Sequence, residues 1–472
     1  MIYLLLVFAF LIRLISLNQS LWLDEATTAR VVQQYSFLDV ATKFSPHDFH
    51  PPLYYLSMKF WTNLFGYSEI ALRFPSIIFS LLTGWIVYLI GKKIKNEKFS
   101  FWAVAFFLFN PLIIYYSQEA RMYMMATFFL TVALYYYLGL SPEILSRLNS
   151  SLPLLKQKVS KNFGSSPILF FNIFISLAFL TFYGSIFLII PMFLYLLYKK
   201  QYRFFFVSFL MLSSSLLVLL PLVYRQFVNA QQQLLLVPNW TQVLGTTNLK
   251  NLFLIPLKFA FGRISFQPKL LYWAVAGIWT AFVWFFVLKG GLKQRSILFF
   301  IIGSMGFGIL FSFFTPLLQY FRFIYLIPLI SVLISFAQKN TIYRLIIFFG
   351  FISFSLLYLL FPGFHREDWK SLANSLPSDK KIYMIYSSSD PIQYYRSDLN
   401  LGDLRALDLT KLKYREIIII PYTSEIYGLD YAKILRQSNY NKKKTRNFRG
   451  IYYEVWERGE NIFLNSLMLA TI

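Results

Sequence analysis

Apolar residues along this chain come in long runs rather than in alternation. About eleven stretches (1–17, 70–91, 99–115, 122–140, 167–182, 184–198, 204–223, 271–288, 296–315, 321–337 and 343–361) are almost continuously apolar. At helical rise such runs approach or span a hydrocarbon core of roughly 30 Å, and they predict membrane helices. The first has no basic n-region and carries Arg13 inside its apolar run, so it reads as a retained helix whose Arg13 snorkels or faces protein. Beyond Gly363 the pattern changes. Segments 381–386, 416–422 and 451–456 are β-branched and aromatic and predict short strands, with helices over 369–376 and 427–436. The expected architecture is an α-helical polytopic membrane domain, 1–362, followed by a small extracytoplasmic α/β domain, 363–472.

Composition strengthens this. Hydrophobic residues make up 57% and charged residues 14% of the 472, against about 25% charged in soluble domains. A soluble globule is excluded. With no Cys there is no disulfide scaffold and no Cys-ligated zinc site.

The net charge of +24 points to topology rather than to nucleic acid, because no aromatic-basic groove motif accompanies it. With the N-terminus inside, the inner connections 92–98, 141–166, 199–203, 289–295 and 338–342 hold the cations. These are Lys92, Lys93, Lys95 and Lys98; Arg147, Lys156, Lys158 and Lys161; Lys199, Lys200 and Arg203; Lys289, Lys293 and Arg295; and Lys339. Only isolated cations, Arg121 and Arg322, mark the short outer connections. This is the positive-inside pattern of a multi-pass plasma-membrane protein. Segment 141–166 reads as a partly amphipathic cytoplasmic linker. The first loop 18–69, the segment 224–270 and the tail lie outside.

The tail holds 13 of the 21 acids, and none falls between residues 144 and 364. Of the eight in the first 364 residues, Glu97 and Glu143 fall inside. The other six, Asp24, Glu25, Asp39, Asp48, Glu69 and Glu119, fall outside. Carboxylate chemistry in the membrane domain therefore belongs to the outer face.

Asp24-Glu25 is the sharpest candidate. A carboxylate just beyond a span can act as general base for an acceptor hydroxyl. Asp24 reads equally well as the N-cap of a helix running through Arg30, and the two roles are compatible. His50-Pro51-Pro52-Leu53-Tyr54-Tyr55 offers a His at the membrane surface for a metal or a phosphate, or simply a loop His ahead of a Pro-started helix. In Ser117–Tyr123, Ser117 reads as a cap and Glu119 as a first-turn acid. On that helix Glu119 shares a face with Tyr123, and Gln118 shares one with Arg121. Arg322, in Gln319-Tyr320-Phe321-Arg322-Phe323, and Arg73, in Ala71–Pro75, stand at outer helix ends, where they snorkel or meet an anionic headgroup.

Together these runs resemble the GT-C superfamily of polytopic glycosyltransferases. The likeness is to the bacterial group related to protein O-mannosyltransferases and aminoarabinose transferases. It rests on Asp24-Glu25, His50–Tyr55, Ser117–Tyr123 and Arg322-Phe323, and departs at the last, where the group's pattern has Tyr in place of Phe323. Glu367-Asp368-Trp369 also looks like the group's outer domain.

The resemblance implies an inverting transfer of a hexose or pentose from a polyprenyl phosphate to a protein, lipid or surface glycan of the cell envelope. It implies Asp24 as base with Glu25 assisting, and Arg121, Arg322, His50 and Arg73 around the donor phosphate. Gln118, Glu119, Tyr123, Tyr54 and Tyr320 would bind the sugar or acceptor. No cofactor is required; a divalent metal on Asp48, His50 and Glu119 is an open option. Expected partners are the lipid-linked sugar, membrane lipids and the acceptor.

Two other readings compete. A lipid or glycolipid transporter or flippase would place ionisable groups at mid-membrane, where this chain has almost no acids. A non-catalytic scaffold would bind a surface partner through its tail.

Overall fold

The computed structural model describes residues 1–140, 166–337, 340–407 and 414–459. Apart from residue 166, the linker expected over 141–166, with Glu143, Arg147, Lys156, Lys158 and Lys161, lies outside the described residues, as does Lys339. The described chain divides into two compact units. The first comprises 1–18, 31–232 and 244–365; the second comprises 19–30, 233–243 and 366–472. The compact unit built on the tail thus takes in two further segments, one of them carrying Asp24 and Glu25.

The principal helices are α1 (Ile2–Leu14), α2 (Leu23–Gln34), α3 (Leu53–Phe65), α4 (Glu69–Ile94), α5 (Glu97–Leu108), α6 (Pro111–Ser117) and α7 (Tyr123–Tyr137). After them come α8 (Ser166–Thr181), α9 (Ile186–Tyr198), α10 (Tyr202–Leu236), α11 (Leu249–Phe261), α12 (Lys269–Lys293) and α13 (Arg295–Ser312). The last two of the first unit are α14 (Tyr320–Ala337), which opens with a 3₁₀ turn, and α15 (Thr341–Leu360).

Each expected span coincides with a helix. Six of these (α4, α10, α12, α13, α14 and α15) are long and apolar enough to cross a bilayer, and the bent pair α5–α6 makes a seventh. The remaining four, α1, α7, α8 and α9, are shorter apolar helices. A 13-residue helix such as α1 rises only about 20 Å, short of the hydrocarbon thickness, so a count of eleven full crossings is not established. Burial separates the spans. The most apolar window of α14 is 78% buried, that of α10 only 17%; α14 is central, and α10 keeps most of its apolar surface for lipid.

Local chemistry explains the key breaks. Asn110 accepts from the amides of Leu112 and Ile113, and Pro111 supplies the first helical residue without a donor. The span therefore bends by 61° between α5 and α6. Arg13 turns inward, fully buried, and donates to Ser80 Oγ, Ala9 O and Leu108 O. It faces protein, which removes the snorkelling alternative.

The second unit is an α/β domain. Its helices are α16 (Trp369–Asn374), α17 (Asp390–Tyr395) and α18 (Tyr431–Gln437); its strands are β1 (Lys381–Met384), β2 (Leu401–Asp403), β3 (Glu416–Ile420), β4 (Tyr440–Phe448) and β5 (Ile451–Arg458). The sheet order is β2-β1-β3-β5-β4, with β2, β1 and β3 parallel and β5 and β4 antiparallel. Strand alternation makes two cores from β3. Ile418 and Ile420 pack with Trp369, Leu372 and Ile392, while Ile417 and Ile419 pack with Leu435, Tyr440 and Trp456. Two strands were not expected. β2 is only three residues long, and β4 carries Lys442, Lys443 and Lys444, the lysine-rich, exposed signature of an edge strand.

Candidate active site

Asp24 and Glu25 lie in the first turn of α2, where negative charge suits the helix dipole. The helix begins at Leu23, so Asp24 is a helical residue and not the N-cap. The polar run around the pair is fastened within the second unit. Leu21 N donates to Tyr395 Oη at 2.9 Å, Lys370 N to Ser20 Oγ at 3.0 Å, and Thr27 Oγ1 to Asp390 Oδ2 at 2.7 Å. Arg30 reaches Gln393 Oε1 and stands 4.0 Å from Asp390. Burial raises the Asp390 carboxyl above its ordinary range, and the Thr27 bond and the Arg30 charge offset this only in part. Glu25 is buried and Asp24 half-buried.

The remaining candidates lie in the first unit. His50 Nδ1 stands 3.3 Å from Asp48 Oδ2. Burial alone would raise the Asp48 carboxyl; the charges of His50 and Arg121, with the His50 hydrogen bond, outweigh it and hold Asp48 below the ordinary carboxylate range. The loop is anchored from α10. Gln226 Nε2 donates to Ser45 O at 2.7 Å and His50 O at 3.0 Å, and Gln226 Oε1 accepts from Tyr183 Oη at 2.8 Å.

The sign of the Asp48 effect follows from linkage. A carboxyl held low in the folded state stabilises it above the unfolded value of about 3.9, and the contribution is lost as pH falls through the folded value. Asp48→Asn should therefore melt below the parent at pH 7, with the gap closing on acidification below about pH 4. Melting curves of the detergent-solubilised protein check this; a gap independent of pH would remove the charge from the explanation.

Arg121 is buried, and with Tyr54 it lines a cavity of about 120 Å³ whose other walls are mostly apolar, from Met58, Trp61, Phe79 and Met125. The Ser117–Tyr123 run corrects the sequence expectation. Ser117 ends α6 and its hydroxyl donates to Ile114 O, while α7 begins only at Tyr123. Residues 118–122 form a turn, so Glu119 is not a first-turn acid, and the shared helical faces of Glu119 with Tyr123 and of Gln118 with Arg121 do not exist. Pro111 starts a separate seven-residue helix that ends at Ser117, and nothing in the composition of 118–122 marks the break before α7. Tyr123 instead packs edge-on against Tyr116 at 5.3 Å and Phe321 at 5.4 Å. Arg322 lies 5.8 Å from the Phe321 ring centre, and its Nη1 is buried without a hydrogen-bond partner among the described residues.

Two candidates are pinned to backbone. Arg73, buried, donates from Nη1 to Leu17 O at 2.8 Å. Gln118 Nε2 donates to Arg13 O at 2.9 Å and Ile15 O at 2.7 Å, clasping the end of α1. Gln118→Ala leaves those carbonyls unmatched and should cost about 1–3 kcal/mol of stability with the donor KM unchanged. A changed KM at constant melting temperature would return Gln118 to ligand binding.

Arg263 was missed. It donates to Tyr115 Oη at 2.6 Å, its guanidinium lies 4.7 Å from that ring's centre, and it shares the surroundings of Tyr116 with Glu119 and Tyr320. Its only sequence signal is a lone cation just past a helix, after Gly262. Among the described residues no three His, Cys, Asp or Glu side chains gather closely enough to hold a metal ion. Asp48, His50 and Glu119 therefore do not form the metal set left open above, and no step is routed through one.

Residues 49–143 match the family model of dolichyl-phosphate-mannose-protein mannosyltransferases. Curated protein sequences give no match. Among solved structures, ArnT from Cupriavidus metallidurans in the apo state aligns with a TM-score of 0.57 at 12% identity, covering 96% of this chain and 97% of that one. The same protein bound to undecaprenyl phosphate gives 0.56 at 11% identity, with the same coverage. The archaeal oligosaccharyltransferase AglB from Archaeoglobus fulgidus, in complex with an inhibitory peptide and a dolichol-phosphate, gives 0.51 at 11% identity, covering 96% and 74%. This chain of apolar helices thus shares the fold of ArnT over nearly the whole length of both chains, and its residues 49–143 are similar to the mannosyltransferase family model.

Proposed function

We propose that this chain is an inverting glycosyltransferase that moves a sugar from a polyprenyl phosphate to an acceptor on the outer face of the plasma membrane. Asp24 takes the proton of the acceptor hydroxyl. The acceptor oxygen bonds to the anomeric carbon from the side opposite the phosphate, and the carbon–oxygen bond to phosphate breaks with its electron pair leaving on the lipid phosphate. A phosphate leaves without a strong acid, so one base and fixed cations suffice. Arg121 and Arg322, joined by Arg263, steady the departing anion; the Asp48–His50 pair lies within reach of Arg121. Glu25 supports Asp24, and Tyr54, Glu119, Tyr123 and Tyr320 frame the sugar.

The observation that carries this reading is the buried cation Arg121 at the edge of a largely apolar cavity, in a fold shared over nearly its whole length with a protein solved bound to undecaprenyl phosphate. A buried guanidinium beside apolar walls matches a ligand with an anionic head and an isoprenoid tail.

Purified protein incubated with a panel of polyprenyl-phosphate sugars should release free polyprenyl phosphate, seen by mass analysis, and deliver the sugar with inverted anomeric configuration. Well-folded protein releasing lipid phosphate from none of them would end the proposal, and retained configuration would end direct displacement.

A further inference from the structure

The second unit gathers aromatic and acidic groups around the start of α2. The Arg366 guanidinium lies 3.7 Å from the centre of the Trp22 ring. Trp369, fully buried, meets Tyr422 edge-on at 4.8 Å. Tyr422 in turn lies within electrostatic reach of Glu367, Asp24 and Arg366. Burial, then the charges of Glu367 and Asp24, push the Tyr422 phenol up, and Arg366 offsets this only in part; the hydroxyl stays protonated and able to donate.

Three polar atoms here are buried without a hydrogen-bond partner among the described residues: Glu367 Oε2, Trp22 Nε1 and Trp369 Nε1. Leaving such groups unmatched is costly, most of all for a carboxylate oxygen. The segment that carries Glu367 is held in place. Asp368 N donates to Arg449 O at 2.9 Å, and Arg449 Nε to Arg366 O at 2.8 Å. Gly450 follows at φ +71°, and a Cβ there would come within 3.3 Å of Glu367 Cγ. A left-handed turn without a side chain thus lets the β4–β5 hairpin close against Glu367, and the backbone presents the carboxylate rather than letting it seek a protein partner.

Indole N–H groups, a phenol and a carboxylate form the donor and acceptor set that suits a pyranose, whose hydroxyls need both hydrogen-bond senses. We infer that Glu367, with Trp22, Trp369 and Tyr422, forms a carbohydrate-binding subsite that holds the sugar acceptor beside Asp24. This rests on the reading of Asp24 as base. It narrows the acceptor to a glycan or glycolipid and makes Glu367 a substrate-positioning residue.

The test uses the full chain in detergent with no donor present, so that binding is read apart from transfer. The probes are α-mannotriose, maltotriose and chitotriose, followed by ligand-observed saturation-transfer NMR. At least one should bind in the millimolar range. Glu367→Gln should weaken it by about tenfold or more, as expected for loss of a hydrogen bond to a charged group. Tyr422→Phe keeps the ring and should weaken it about three- to tenfold with melting unchanged; Glu425→Gln, elsewhere in the same unit, should leave it unaltered. In the transfer assay Glu367→Gln should raise the acceptor KM and leave the donor KM alone. Binding of none of the three sugars overturns the subsite, as does undiminished binding in both variants, or preferential binding of a Ser/Thr heptapeptide. Sugar binding that needs Glu367, in a protein releasing lipid phosphate from no donor, would keep the subsite and sink the transferase reading instead.

Discussion

Asp24→Asn is expected to lower the initial rate of polyprenyl-phosphate release by about 10²–10⁴-fold, the usual range for losing a positioned general base. The change is nearly isosteric and should leave the fold intact. Leu21, Ser20, Thr27 and Arg30 tie this stretch to Tyr395, Lys370, Asp390 and Gln393, and an amide keeps the shape and hydrogen-bonding reach of the carboxylate it replaces. Loss of one first-turn charge costs about 0.3–1 kcal/mol through the helix dipole, a small shift in melting. The two readouts separate the causes: slow turnover with normal melting assigns Asp24 to chemistry. Undiminished release would remove it from the reaction, and a collapsed melting curve would make it a structural residue.

Arg121→Ala should cost about 10²–10³-fold in kcat, as for removal of one preorganised donor to developing charge. The phosphate gains charge as the bond to the sugar breaks, so the loss falls on kcat more than on donor KM. Arg121→Lys should recover part of the rate, since a point charge replaces a planar fork of donors. The electrostatic reach of Arg121 to Asp48 adds a second signature. Without Arg121 the Asp48 carboxyl loses one of the charges holding it low, and the acid limb of the melting profile should move up in pH. Full activity in Arg121→Ala would take the residue out of the site, and a loss confined to donor KM would restrict it to ground-state binding.

Much of this molecule was legible from short-range pattern. Among the described residues each apolar run marked by hydropathy holds a helix, because a membrane span must satisfy its backbone internally and hide its polar groups. The Asn110-Pro111 pair carries a local rule strong enough to break a span. The all-apolar Ile417–Ile420 run marked the central strand of the tail. Patterns that depended on continuing a helix failed. Glu119 and Arg121 were placed on faces of a helix that begins only at Tyr123, and β4 was passed over because three lysines in a row hide an edge strand. Arg73 and Gln118 were read as ligand groups by their type and position, and nothing near them in sequence shows that Leu17, Arg13 and Ile15 carbonyls lie waiting.

By itself the sequence determined that this is a helical membrane protein with an α/β tail, with most of its acids in that tail. Those properties follow from hydrophobic run length, charge placement and local capping, each set within a few turns of chain. Only the tertiary structure decided that the Asp24 stretch is fastened to residues more than 340 positions away. It also decided that Arg73 holds the Leu17 carbonyl and Gln118 the end of α1, and that Glu367, Trp22 and Trp369 keep polar atoms unmatched among the described residues around Tyr422. Buried donors and acceptors take whichever partner packing brings within about 3 Å, and that neighbour is chosen by the fold rather than by proximity along the chain.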